Sequence, residues 1–201
     1  MRLRSYYSGF IFEKFEDFKN NTVEKAESNN YKIDFSCTTS ILDEYIKDCP
    51  AQYTTKDGTP ICAWDKVITK LCDIDTNILH YVKVPENHIV VDFDIQDENG
   101  VKVLDKNIEA ASKWPPTYAE LSKSGTGIHL HYIYTGDINT VSRVFDEHIE
   151  IKIFTGKSSL RRKLTKCNGL AIAVLTSGLP KREEKKVIDK NIAVSEKMLI
   201  A

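Results

Sequence analysis

The chain has 201 residues, 41% of them hydrophobic and 28% charged, enough to bury one sizeable core. Its 28 basic and 29 acidic side chains give a formal charge of -1, so the molecule as a whole is no magnet for nucleic acid or anionic membrane, and any polyanion site must be local. No segment approaches the roughly 20 apolar residues that cross a bilayer, no run of signal-peptide length opens the chain, and the five cysteines never form CxxC. These features predict an intracellular, reduced protein without a disulfide framework or a zinc site built from local cysteine pairs.

No repeat, low-complexity tract or Pro/Gly/Ser linker interrupts the sequence, so one domain is expected over 1–201. It divides into a mainly helical lobe at 1–84, a sheet-bearing module at 85–182, and a helix or tail at 183–201. Helical signals begin with Phe12, Phe15 and Phe18 at three-residue spacing. "TTSILDEYIKDC" offers Thr or Ser as the cap of a short helix, and Trp64, Val67, Ile68 and Leu71 supply a further apolar stripe. Between these two lies "TKDGTP", a turn by composition.

From residue 87 onward the period changes to two. In "HIVVDFDIQ", Ile89, Val91, Phe93 and Ile95 share one face, leaving Val90, Asp92 and Asp94 on the other. In "GIHLHYIYT", Ile128, Leu130, Tyr132 and Tyr134 oppose His129, His131 and Ile133; in "HIEIKIF", Ile149, Ile151 and Ile153 oppose His148, Glu150 and Lys152. If these segments pair with their apolar faces together, every chemically interesting side chain emerges on the opposite face. Candidate helices join them: "DKNIEAASKW", stopped by Pro115 and Pro116, and "NTVSRVFDE", with Asn139 as a cap. The predicted fold is α+β, a mixed or antiparallel sheet backed by helices, with an open polar surface.

Asp92 and Asp94 project in parallel from that strand, roughly 6 to 7 Å apart at their bases, and two such carboxylates repel unless a cation or basic partner sits between them. An EF-hand beginning at Asp92 is excluded, because Asp97 and Val103 stand where Gly and Glu are needed. Glu150, delivered to the same face by another strand, supplies a third acid; three acids holding two divalent ions suit phosphoryl transfer. In "SKSGTGIHLHY", Gly125 and Gly127 allow close backbone approach to phosphate, Ser124 and Thr126 offer hydroxyls, and His129 follows on the polar face. A tight turn before a strand would use the same glycines.

"FTGKSSLRRKLTK" imitates the end of a P-loop, but Ile151 occupies the position of the earlier glycine. Lys152, Lys157, Arg161, Arg162, Lys163 and Lys166 read instead as a local cationic rim for phosphates, or as an ordinary solvated basic segment. His129 and His131 also match the paired histidines of rolling-circle nucleases. Those enzymes use a tyrosine on a later helix, and after residue 131 the only tyrosines are Tyr132 and Tyr134, in the same strand.

The ordered set "VVDFD", "SGTGIH" and "IEIK" resembles the archaeo-eukaryotic primase superfamily, particularly the primase-polymerases of phages and plasmids. The resemblance spans about residues 85 to 180, with "CNGLAIAVLTSGLP" similar to the family's closing strand. It implies a two-lobed catalytic domain with an RRM-like module, adding nucleotides to a 3'-hydroxyl in the cytoplasm of a bacterial or archaeal host. Asp92, Asp94 and Glu150 would then hold two Mg2+ or Mn2+ ions, and His129 would touch the incoming phosphates with help from Ser124 and Lys152. Implied partners are single-stranded DNA template and primer, NTP or dNTP substrates, and a replicative helicase or further domains, with no membrane. Gly127 stands where many relatives have Ser, Glu150 where Asp is commoner, and no cysteine pattern matches the family's zinc elements. A metal-dependent nuclease using the same acids, and a non-catalytic RRM-like binder, are the rival expectations; the binder calls for aromatic residues on the open face.

Overall fold

Alternation of β-branched and aromatic residues with polar ones builds the centre of the molecule. The computed structural model describes residues 33–182. Strands β3 (His88–Phe93), β5 (Ile128–Tyr134) and β7 (Ile149–Ile153) lie antiparallel in the order β5–β3–β7. β4 (Ala119–Leu121) extends the sheet beyond β5, and β6 (Val144–Asp146) beyond β7. β9 (Ala173–Leu175), within the segment likened to a closing strand, runs parallel to the last residues of β5.

The register puts Val91 opposite Leu130 and Ile151, and Phe93 opposite Ile128 and Ile149. The apolar faces therefore merge, as the alternation predicts, into one buried cluster. Helix α2 (Leu104–Ala111) covers it through Leu104, Ile108 and Ala111, one stripe at helical spacing. Pro115 and Pro116 follow its end, and Trp114 turns back to meet Phe93 edge-on at 6.0 Å.

A second sheet occupies the other side. β1 (Ala51–Tyr53), β2 (His80–Val82) and β8 (Leu160–Arg162) pair antiparallel in the order β1–β2–β8. Beside it, helix α1 (Ile41–Tyr45) starts at Ser40, whose hydroxyl accepts a hydrogen bond from the Asp43 N–H at 3.2 Å. Leu42, Ala51, Leu71, Val82 and Leu160 pack with Val90, Tyr118 and Ile133, so the small sheet buries part of the main sheet's second face. That face is only half open.

The described chain is mixed α and β, mostly sheet with few helices. Three expectations are corrected. The mainly helical lobe at 1–84 holds, over its described part, one five-residue helix, two 3-10 turns and two strands. The stripe from Trp64 to Leu71 does not form a helix because the Thr69 carbonyl accepts from the Ala51 N–H and Lys70 bridges to Pro50, leaving Ile68 94% exposed. The helix expected from Asn139 is a single 3-10 turn, Ile138–Thr140, capped by the Asp137 side chain; just before β6 the Arg143 carbonyl accepts from the Ile151 N–H and draws the chain into the sheet. Phe12, Phe15, Phe18 and the 183–201 segment lie outside the described residues. Among the described residues, no helix is long and apolar enough to cross a membrane. The five cysteines are free, and of them Cys167 is buried.

Candidate active site

Cross-strand pairing sets the site. Asp92 on β3 faces His129 on β5 and Glu150 on β7, and His129 faces Glu120 on β4. Glu120, His129, Asp92 and Glu150 therefore form one row across four strands, on the face opposite the apolar core. Asp94 lies just past the end of β3, where its N–H donates to the His148 carbonyl at 2.9 Å. Asp92, Asp94, Glu120 and His129 line a cavity of about 450 Å³.

The two aspartates are held by cations. Lys152 reaches Asp92 Oδ2, His129 Nε2 lies 3.2 Å from Asp92 Oδ1, and Lys102 Nζ lies 2.6 Å from Asp94 Oδ1. Burial alone would push the Asp92 carboxyl up, but His129 and Lys152 outweigh it and hold it well below the usual carboxylate range. Both Oδ1 atoms are buried without a well-directed hydrogen bond. Two anionic oxygens in that condition suit a hard cation. Glu150 is exposed and stands outside the cavity wall, although its backbone is next to Asp92. Among the described residues, no three or more His, Cys, Asp or Glu side chains are gathered as a metal cluster.

The turn before β5 forms the next wall. Ser122 Oγ accepts from the Gly127 N–H at 2.9 Å and lies 3.0 Å from Ser124 Oγ, which lies 2.9 Å from Thr126 Oγ1. Gly125 adopts φ +77 with open space around it, as a tight turn requires. Gly127 is a case of close approach: a Cβ there would lie 2.6 Å from Asp94 Oδ1 and 3.1 Å from the Phe93 carbonyl. Asn107 of α2, fully buried, ties this turn to the end of β3 by accepting from the Ile95 N–H and donating to the Thr126 carbonyl, each at 2.8 Å.

The expected cationic rim is only partly assembled. Lys152, Arg161 and Lys163 line the cavity. Lys157 does not. It sits in the turn after β7, where Lys83 donates to the Gly156 and Ser158 carbonyls, beyond the β3 end opposite Asp94. Arg162 also reaches the cavity, but it is a buried ion-pair residue rather than a free rim cation. Its Nε donates to both Glu120 oxygens at 2.9 Å, its Nη2 to Ser40 at 2.9 Å, and its Nη1 to Asp43. Burial would raise the Glu120 carboxyl; Arg162 instead holds it down at about 2. Tyr118 donates to the same Glu120 at 2.5 Å, and burial and that carboxylate push the phenol far up.

His131, two residues from His129, is shut inside. Burial drives its imidazole well below its ordinary value, and its Nδ1 lies 3.0 Å from Nε2 of His88, which burial lowers to about 4. The two histidines of "HLHY" thus part company: one lines the cavity and one joins the core.

Sequence reasoning missed Glu120, Lys102, Lys123, Ser122 and Asn107, all of which line or brace the cavity. The "DENG" turn at 97–100, where the Asp97 side chain accepts from the Asn99 and Val101 N–H groups, is a legible reversal that returns Lys102 to Asp94. Nothing comparable announces Glu120, whose partner Arg162 is 42 residues away. Compared with known proteins, the sequence matches no family model and no curated protein.

Proposed function

We propose that this chain is a template-directed nucleotidyltransferase of the primase-polymerase kind, adding nucleotides to a 3'-hydroxyl during phage or plasmid replication. The observation that carries the reading is the row Glu120–His129–Asp92–Glu150, flanked by Asp94, beside a cavity walled by lysines and arginines. A nuclease active on a polymer needs an acidic row; a cationic cavity beside it additionally suits the polyphosphate of a nucleoside triphosphate. The acids and histidine on the row, in place of aromatic residues, disfavour a stacking RNA binder.

In this reading Asp92 and Asp94 would hold Mg2+ or Mn2+, and Glu150, turned to solvent beside Asp92, would swing inward to complete a two-ion site, whose chemistry is to activate the attacking hydroxyl and neutralise the leaving pyrophosphate. Lys123, Arg161 and Lys163 would screen the phosphate chain, and the hydroxyls of Ser122 and Ser124 would donate to it. His129, oriented by Asp92, would present its ring to a phosphate oxygen. Catalysis then rests on positioning and charge, with no covalent nucleophile on the protein. The family's two-lobed plan belongs to the same proposal, with the β5–β3–β7 sheet and α2 as its RRM-like module and the small sheet as part of its other lobe. Single-stranded template, primer and a helicase would be the partners.

The test offers primed and unprimed single-stranded DNA with NTPs and dNTPs separately, in Mg2+ or Mn2+. Extension is expected, and Asp92→Asn with Asp94→Asn lowers it by at least about a hundredfold while thermal unfolding stays cooperative. Wild-type extension undiminished in the double variant overturns the assignment. Cleavage of labelled DNA without triphosphate, lost in the same variant, assigns the acids to a nuclease with water as attacker.

A further inference from the structure

We infer that Lys152 and Lys102 are resident counter-ions of the aspartate pair, occupying it until a divalent cation displaces them. The inference rests on the proposed metal role of Asp92 and Asp94. Two nearby carboxylates, one of them 95% removed from solvent, need positive charge whether or not a metal is bound. Each is supplied with its own ammonium: Lys152 from β7 to Asp92, and Lys102 from the far side of the 97–100 turn to Asp94. The assignment is one lysine to one acid, and the two lysines come from different elements.

Both lysines can let go. Their side chains are 39% and 36% exposed; of the acids they meet, Asp92 is 7% exposed and Asp94 37%. An ammonium on a four-carbon stem can therefore swing into water or along the cavity, away from a carboxylate that burial holds at Asp92 and that keeps only its Oδ1 buried at Asp94. Each aspartate also keeps its Oδ1 without a well-directed hydrogen bond, so the acids are held by charge more than by saturated hydrogen bonding. Contrast Arg162, 3% exposed, which satisfies both Glu120 oxygens and has nowhere to move. The fold thus builds one kind of ion pair to last and another to be exchanged. Displaced lysines remain on the cavity wall with Lys123, Arg161 and Lys163, so cation entry adds two ammonium groups to those facing a polyphosphate.

The experiment measures Mn2+ binding to the full chain by calorimetry and by loss of the free-ion electron paramagnetic signal, at fixed pH and ionic strength. Wild type is compared with Lys102→Met, Lys152→Met, the control Lys163→Met, and Asp92→Asn with Asp94→Asn. Lys163 lines the same cavity but is paired with neither aspartate, so its replacement removes the same charge without removing a competitor. Lys102→Met is expected to tighten Mn2+ binding about two- to fivefold beyond the control, as befits a partly exposed pair, and Lys152→Met about tenfold. Equal affinities in all three lysine variants overturn the inference and leave the metal reading standing. Mn2+ binding unaffected by the aspartate changes, or absent from every protein, sinks both. Should Lys152→Met fail to fold, Lys102→Met, at the surface, carries the comparison alone.

Discussion

The two ends of β3 and β5 share one face of one sheet and have opposite fates. At one end His88, Val90, His131 and Ile133 lie under the small sheet, with Tyr118 and Leu160 packed on them. At the other, Asp92, His129 and the neighbouring Asp94 open into a cavity. The same alternation of side chains produced both. Period two decides which side of a sheet a residue occupies; what covers that side is decided by chain elsewhere. Here the cover comes from residues 51–53, 80–82 and 160–162, and it stops one pair of residues short of the acids.

Where cover meets cavity stands the Arg162–Glu120 pair, and breaking it gives the largest expected effect on stability. Arg162→Met leaves Glu120 and Asp43 without their cation, so urea denaturation should show a loss of about 3–5 kcal/mol. A loss below about 1 kcal/mol would mean that the pair behaves as an exposed one, and that the small sheet is held by apolar packing alone.

The covered end also has a pH signature. His88 is neutral when folded, its value lowered to about 4, so between the ordinary histidine range and pH 4 the unfolded chain binds a proton that the folded chain refuses. Stability therefore falls as pH drops below about 6.5, His88 contributing roughly 3 kcal/mol of the loss and its buried neighbour His131, also held well below its ordinary value, adding to it. His88→Gln should flatten the slope measured by denaturation at successive pH values; an unchanged slope would assign the titration to another group.

The smallest effect sharpens the open end. Gly127→Ala brings a Cβ against Asp94 and the Phe93 carbonyl, and should cost about 1 kcal/mol while displacing Asp94. Nucleotide incorporation should fall more than the melting temperature suggests, and a variant with wild-type activity would show that Asp94 tolerates the shift.

Much of this was legible in advance. The apolar and polar faces of β3, β5 and β7, the helix at 105–111 and a Thr or Ser cap before α1 follow from local pattern, because each is written within ten residues. Strands of three residues carry no period, so β1, β2 and β8 were invisible, and a region that they organise was read as helical. For the site, Asp92, Asp94 and His129 were legible as a strand and a turn, and Glu150 as a same-face acid. Arg162 and Lys157 were misplaced for one reason: a run of basic residues looks uniform until long-range partners sort it. One found a buried carboxylate and the other a turn at the wrong end of the sheet.

Asn107 has a mechanical consequence. Its amide joins the exit of β3 to the approach of β5 through hydrogen bonds in opposite senses. The gap between those chain segments is thereby fixed by the length of one planar group. Moving the serine-rich turn away from the aspartate segment therefore requires breaking one of these two bonds, so a single buried amide sets the spacing of this flank of the cavity.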